Sequence, residues 1–562
     1  MKRIFGQLRD KNFDLLVCGG GIYGAWAAYD AALRGLSVAL VEQGDWAGAT
    51  SSASSKLVHG GLRYLETYDF KLVKKALAER QMLLEAAPHR VWPLRFGVPV
   101  YADSRVGSLM LKAGLSLYDF LAGLPGPAMS HHRYGREDFS GRFPILKTGG
   151  LKGGFTYADA QTDDARLVLE IVDGAISHGA ACVNYCRLSR LIEQDGKAIG
   201  AMVQDLTDGS ESNLFAKQIV YATGCWMAAE GQIAQEPGSR VRLTKGVHLV
   251  MPSSGLKEAL LLTAKSDGRV FFIIPWYERT LLGTTDTDYR GSLDHVAVET
   301  QDVAYLLAEA NRYLNKGWNA KDVIGSFAGL RALKYSDVAT PSDASRDWKL
   351  ETAKNGAHYS IGGKLTSARE DAAVIVDTVC ERLGIQTPCA TNGKPFPWVP
   401  VPSAMPLRWL AAPEMPEIWT PGEDKLGRFP AMEAQAQQFG IDGECFRWLI
   451  RRHGKRIEEI FIILAGEPKL AFRIVPDLPF IHADLLLCAR DEMVVHLDDL
   501  LRRRMPLLIL SRLDKDQLHR LATMVAPIME WDEAAIESEA QNCARMISRE
   551  HPERLSDPRN AT

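Results

Sequence analysis

Three glycines, Gly19, Gly21 and Gly24, stand in G-x-G-x-x-G spacing directly behind the apolar run 13–18. Glycines so placed let a chain turn tightly and approach a pyrophosphate, whose charge is met by the unpaired N–H groups at the start of a helix. A helical pattern runs from there to Arg34, with Gly35 as its stop. A second apolar run, 36–41, ends in Glu42, 18 residues after Gly24, where a carboxylate can hold the hydroxyls of an adenosine ribose. Strand, glycines, helix, strand and acid in that order predict one βαβ unit that binds a dinucleotide. The spacing does not separate a flavin from a nicotinamide.

The next segment, ATSSASSKLVHGGLRYLE at 49–66, is rich in hydrogen-bond donors and sterically small. Such a loop suits a pyrophosphate and a flat ring, although a flexible polar loop has the same composition. The segment resembles the FAD-dependent glycerol-3-phosphate dehydrogenase family, of the quinone-linked, aerobic type. YADAQTDDARLVLE (157–170), IVYATG (219–224), TKGVHLVMP (244–252), FFIIPWYERTLLGTTDTDY (271–289), AGLRAL (328–333) and IGGKLTSARE (361–370) are similar to successive motifs of that family, and DEMVVHLDDLLRRR (491–504) to its C-terminal helical region. The resemblance covers 12–385 well and 430–545 more loosely. It implies FAD as cofactor. The flavin contacts then fall on Gly19, Gly21, Gly24 and Glu42, on Thr50, Ser51, Ser55, Lys56, Leu57, His59, Gly60 and Gly61, on Ala222, Thr223 and Gly224, and on Gly363, Lys364 and Leu365. This chain departs from the family pattern at Tyr23, where a small polar residue is common, at Ala332, where proline is usual, and in TSAREDAA after Lys364.

The resemblance also implies a reaction: oxidation of sn-glycerol 3-phosphate to dihydroxyacetone phosphate, hydride passing to the flavin and electrons onward to a membrane quinone. Oxidising an alcohol on a phosphorylated polyol needs a dianion clamp, a base and a hydride acceptor. Arg63 and Arg331 lie on motifs that face the substrate in the family, and guanidinium forks suit phosphate; surface salt bridges are the other reading. Tyr64 offers a hydroxyl contact or a packed ring. His248 is the expected base, although one histidine in an apolar strand is often structural. Gly362–Gly363–Lys364 precedes a helical stretch near 367–383. That helix start, or Lys364 itself, would stabilise negative charge on a reduced flavin or reach substrate oxygens. Other readings keep the fold but change the donor to a tetritol phosphate or the acceptor to oxygen, or leave a flavoprotein binding module whose partner surface is the C-terminal helices.

The elements that position these residues imply an α/β fold. It comprises a Rossmann-like FAD-binding domain of the glutathione-reductase/amino-acid-oxidase type, an inserted antiparallel β-rich substrate domain, and a C-terminal helical domain. The expected FAD domain is discontinuous, at 1–90, 155–240 and 330–392, with the substrate domain at 91–154 and 241–329. A proline-rich linker occupies 393–429 and the helical domain 430–562. A length of 562 residues accommodates this many units. Sixty-six Lys and Arg against 69 Asp and Glu leave a net charge of −3, which disfavours a nucleic-acid partner, including RNA. Nine cysteines without a CxxC pair read as reduced thiols, with no metal site. The N-terminus lacks a signal peptide's apolar core, and no run is long enough to span a bilayer. With a quinone as acceptor, the expectation is a cytoplasmic chain held peripherally on the inner face of the membrane, and a homodimer is compatible with it. Residues 104–126 are the candidate lipid-facing segment, against a buried helix at equal weight. The basic runs 451–456 and 501–504 are lesser candidates, a solvated helix face being the better reading of each.

Overall fold

A computed structural model describes residues 1–9, 11–66, 68–228, 241–334, 347–400 and 430–550. It contains two sheets. The first, eight-stranded among the described residues, runs in the order Lys349–Thr352, His358–Ile361, Glu211–Tyr221, Asn12–Cys18, Val38–Val41, Ala181–Val183, with Cys186–Gln194 and Lys197–Asp205 as a side meander. Strand Asn12–Cys18 pairs in parallel with both Glu211–Tyr221 and Val38–Val41. Its apolar residues are buried on both faces, as a parallel sheet covered by helices requires. The crossover helix Ile22–Leu33 carries Ala25, Ala27, Ala28, Ala31 and Ala32, all buried. Side chains this small let it pack closely against helices Asp164–Ser177 and Ala368–Leu383. Gly35, at φ +86°, stops it.

The second sheet is mostly antiparallel. Strand Val241–Pro252 pairs with Arg279–Gly283 and Thr287–Asp288 on one side and Gly325–Lys334 on the other, and the sheet continues through Val270–Trp276, Ala259–Thr263, Val91–Tyr101 and Leu151–Thr162. Strands Val270–Trp276 and Arg279–Gly283 are joined by a two-residue hairpin, with Tyr277 at φ +46° and Glu278 at φ +55°. The borders expected at 154/155 and 329/330 fall inside the continuous strands Leu151–Thr162 and Gly325–Lys334, each laddered along its length to a neighbour. The start of the proline-rich stretch is docked rather than free. Phe396, Trp398 and Val399 are buried, and the Trp398 N–H donates to Glu170 Oε1 at 2.8 Å. Residues 401–429, like 229–240, 335–346 and 551–562 of the other expected units, lie outside the described residues.

The helices beyond 430 join the rest through buried charge. Arg503 Nε donates to Asp45 Oδ2 at 2.5 Å, and Arg504 Nη2 to Asp45 Oδ1 at 2.9 Å. Arg166 Nη2 donates to Glu492 Oε1 at 2.9 Å, and Arg90 reaches the Arg452 carbonyl at 2.9 Å. Burial alone would raise the Asp45 carboxyl, but Arg504 and Arg503 outweigh it and hold it below its ordinary range. Run 501–504 is therefore neither lipid-facing nor a solvated face, and in run 451–456 only Lys455 is exposed. Arg452, His453 and Arg504 are fully buried, and Arg502 and Arg503 nearly so: each arginine has a partner in the interior or an aromatic ring to cover it, and burial pulls the His453 imidazole down to about 4. His453, Cys488 and Glu492 bring ligand atoms within 4.8 Å of one another, but Asp484 holds the histidine and Arg166 with Arg456 holds the glutamate. That group is an ion-pair node. All nine cysteines are free thiols. Removing one side of the latch strands a buried charge, so Asp45→Ala or Arg504→Ala lowers folding stability by about 3–5 kcal/mol in thermal or denaturant unfolding; a loss under about 1 kcal/mol contradicts the buried-pair reading.

Candidate active site

The carboxyl ends of Asn12–Cys18 and Glu211–Tyr221 open onto a cavity of about 1730 Å³ that extends to the second sheet. Its first end is built by missing side chains. Gly19 sits at φ +107°, and a Cβ there would lie 2.5 Å from the Ala222 carbonyl oxygen. Gly21 caps the crossover helix in extended conformation, and Ser51 Oγ accepts the Ile22 N–H at 3.0 Å. Glu42 lines the cavity with its carboxylate held by the N–H groups of Gly20 at 2.6 Å and Gly44 at 2.8 Å. Burial raises its carboxyl above the ordinary value despite those bonds. Thr50, whose hydroxyl donates to the Leu330 carbonyl at 2.6 Å, also lines this wall, as do Ala222, Thr223 and Gly224.

The middle of the wall holds Ser55, Leu57, His59 and Gly61, opposite Gly363, Lys364 and Leu365. The His59 N–H donates to Thr366 Oγ1 at 3.1 Å, tying the serine-rich loop to the glycine–lysine turn. Gly24, Lys56 and Gly60, expected among the flavin contacts, are not in the wall. A Cβ on Gly24 would stand 1.8 Å from the Gly19 oxygen, so this glycine serves the helix–strand approach. Gly60 is pressed against Leu77 and Tyr118. Lys56 points inward and donates to Asp164 Oδ1 at 2.6 Å and to the Ser52 carbonyl at 2.7 Å, because a buried ammonium needs a counter-charge.

The five expected catalytic residues, Arg63, Tyr64, His248, Arg331 and Lys364, all line the cavity. His248 and Arg331 lie on neighbouring antiparallel strands. The His248 ring stacks on Phe327 with centroids 4.9 Å apart, and its Nε2 lies 2.8 Å from Ser55 Oγ. Its Nδ1 is buried without a hydrogen-bond partner among the described residues. Burial, reinforced by the cations of Arg331 and Lys56, pulls the imidazole down to about 3, so it is neutral. Arg331 is aimed by Asp286 Oδ1 at 3.2 Å and Thr284 Oγ1 at 3.0 Å, while Lys364 Nζ stands 3.7 Å over the Tyr64 ring centre. Sequence reasoning singled out neither Asp286 nor Thr284, although both lie in the quoted TTDTDY motif. It also missed Arg502 and Arg503, wall residues supplied by the C-terminal helices, whose charge run carries no signal of what they face. A Cβ on Gly283 would lie 2.3 Å from His248 Cδ2. Gly283→Ala therefore displaces the imidazole and lowers turnover by at least about tenfold while flavin content per chain is kept; unchanged turnover would show that the ring is not held there.

A glycine cradle closed to any side chain, a buried carboxylate beside it and a donor-rich loop along one wall fit an FAD. The volume exceeds the roughly 300–1,000 Å³ of ordinary ligand pockets, leaving room for a small substrate beside a dinucleotide. Comparison with known proteins agrees. Residues 14–369 match the FAD dependent oxidoreductase family, and residues 422–536 match the C-terminal domain of alpha-glycerophosphate oxidase. The aerobic glycerol-3-phosphate dehydrogenase of Bacillus subtilis is 38% identical over 70% of this chain and 72% of its own. The glycerol-3-phosphate dehydrogenase of a Synechocystis species is 35% identical over 89% of this chain and 90% of its own. Among solved structures, the glycerol-3-phosphate dehydrogenase from Bacillus halodurans complexed with FAD superposes with a TM-score of 0.74 at 27% identity, covering 98% of this chain and 97% of that one. From the glycine cradle to the C-terminal helices, the chain belongs to the FAD-dependent glycerol-3-phosphate dehydrogenase family, with FAD as its cofactor.

Proposed function

We propose that the chain oxidises sn-glycerol 3-phosphate to dihydroxyacetone phosphate and delivers the electrons to a membrane quinone. One observation carries the donor half: a neutral, buried His248 in the same cavity wall as Arg63, Arg331 and Lys364. In this reading the first sheet holds the flavin and the second presents the polyol phosphate.

Bound FAD supplies the hydride acceptor, and the side chains do the rest. Arg331, pre-aimed by Asp286 and Thr284, meets the phosphate without first having to be ordered. Arg63 lines the same cavity, so its fork is available to the same dianion. His248 accepts the hydroxyl proton as hydride leaves the adjacent carbon, and Ser55 fixes its ring plane. A bound dianion offsets Arg331, one of the cations that depress His248, and therefore raises the basicity of the imidazole in the complex.

The sign of the pH dependence follows. With a free-enzyme pKa of about 3, His248 imposes no fall in kcat/KM as pH drops through 6.5, whereas the acid limb of kcat, which reports the complex, lies at higher pH than that of kcat/KM. An acid limb of kcat/KM near 6.5 that disappears in His248→Asn would contradict this. Anaerobic bleaching of the flavin by a panel of polyol phosphates identifies the donor: glycerol 3-phosphate bleaches fastest, and Arg331→Ala retains FAD but needs at least about a hundredfold more of it. Faster bleaching by a tetritol phosphate moves the assignment to that donor. Because the C-terminal match is to an oxidase domain, peroxide yield under air is the control for oxygen as acceptor.

A quinone acceptor requires the chain to meet a membrane, and none of the described helices is long and apolar enough to cross one. Helix Ser108–Leu121 supports peripheral attachment at the cytoplasmic face. It buries Leu115 and Tyr118, yet leaves Leu109 84%, Met110 70% and Phe120 65% exposed, with Leu124 at 71% just beyond. Exposed Lys112 and Arg105 flank these apolar side chains, as at a lipid surface with anionic headgroups. Leu109→Asp with Met110→Asp abolishes co-sedimentation with anionic vesicles and leaves dye-linked turnover intact; retained sedimentation removes this helix from the membrane contact.

A further inference from the structure

The residue at which the glycine fingerprint departs from its family, Tyr23, is the centre of a contact that joins four elements. It lies in the first turn of the crossover helix and in the cavity wall. Its hydroxyl donates to Asp371 Oδ2 at 2.7 Å and accepts the backbone N–H of Lys364 at 3.0 Å. Asp371, nearly fully buried in the first turn of helix Ala368–Leu383, is held in turn by Ser367 Oγ at 2.9 Å and by Lys75 Nζ, from helix Phe70–Ala86, at 2.7 Å. Burial and the Asp371 charge push the phenol well above its ordinary value, so it stays a neutral donor.

The turn that receives this contact has little freedom of its own. Gly362 and Gly363 both occupy the left-handed region, at φ +76° and +95°. A Cβ on Gly362 would lie 2.6 Å from the Asp347 carbonyl oxygen, and one on Gly363 would lie 1.7 Å from the Tyr23 hydroxyl. The backbone is thus gripped between a carbonyl on one side and the phenol on the other. Directly after it come Lys364 and Leu365, which line the cavity beside Tyr64 and the serine-rich loop.

We propose that Tyr23, acting with Asp371, is a positioning residue that fixes the Gly362–Gly363–Lys364 turn against the flavin ring and so sets the polarity the reduced ring meets. The geometry gives the physical reason. On the flavin reading of the cavity, the fingerprint helix would hold the pyrophosphate end of the cofactor and the glycine–lysine turn would face the ring end, so one hydroxyl shared between helix and turn fixes the distance between them. Without it, the Lys364 N–H loses its acceptor, and the turn is free to relax by the few tenths of an ångström that an electrostatic contact with a ring registers. The inference rests on the flavin reading of the cavity and not on the identity of the donor.

Tyr23→Phe in the full-length holoenzyme keeps the ring packing and deletes both hydrogen bonds, and Asp371→Asn is an isosteric second variant. Three quantities are measured: FAD per chain with the visible absorption bands, the flavin midpoint potential by anaerobic photoreduction against a reference dye, and kcat with KM using a dye acceptor. The expected result is stoichiometric FAD, a displaced band and midpoint potential of the same sign in both variants, and kcat lowered about tenfold with KM within about twofold. A Tyr23→Phe enzyme with unchanged bands, potential and kcat overturns the proposal. So does a variant that loses FAD while the remaining holoenzyme keeps the original bands and potential, since Tyr23 would then serve only retention. The photoreduction needs no polyol phosphate, so a wrong donor assignment leaves this readout intact.

Discussion

Two backbones meet at Gly19 with no room for a side chain between them. The strand that ends there and the strand that ends at Tyr221 are parallel neighbours, and the Ala222 carbonyl occupies the space a Cβ would need. One turn of helix later, Gly24 lets the helix fall back onto the Gly19 carbonyl. These close approaches bring the fingerprint and the Ala222–Gly224 turn to one cavity rim, and the remainder of the site is arranged around that rim. A methyl group at either glycine displaces backbone rather than a flexible side chain, and packed interiors absorb such shifts poorly.

The electrostatics of the substrate end follow from burial rather than from residue type alone. A histidine buried beside cations is neutral, while the fork of Arg331 on the neighbouring strand is held by Asp286 Oδ1 and the Thr284 hydroxyl. Stacking on Phe327 adds a hydrophobic floor that keeps water away from the ring.

Much of this was legible in the sequence because the signals are local. The spacing of Gly19, Gly21, Gly24 and Glu42 encodes one βαβ unit, and the structure builds it there. That His248, Arg63, Arg331 and Lys364 share one cavity wall was legible only through resemblance, since a single histidine or arginine has no pattern of its own. The misreadings share a cause: a charged side chain carries no mark of its partner. Lys56 stands among flavin-loop serines yet turns inward to Asp164, 108 residues away. The arginines of 501–504 read the same whether solvated, lipid-bound or paired, and what decides the matter, Asp45, is far upstream. Segment 104–126 is legible as partly apolar; that Leu115 faces in while Leu109 faces out is a property of the fold.

The arginine latch on Asp45 has a temporal consequence. Its two sides are 458 and 459 residues apart along the chain. During synthesis, which proceeds from the N-terminus at about 5–20 residues per second, the loop carrying Asp45 exists for tens of seconds before Arg503 and Arg504 do. Through that interval the carboxylate must stay in water, and the wall of the cofactor cavity between Glu42 and Thr50 cannot close over it. The dinucleotide site thus matures late although its fingerprint is made first, and a ribosome that stops short of Arg503 leaves a chain with the recognition motif but without Arg503, which lines the cavity, and Arg504, which holds Asp45 with it.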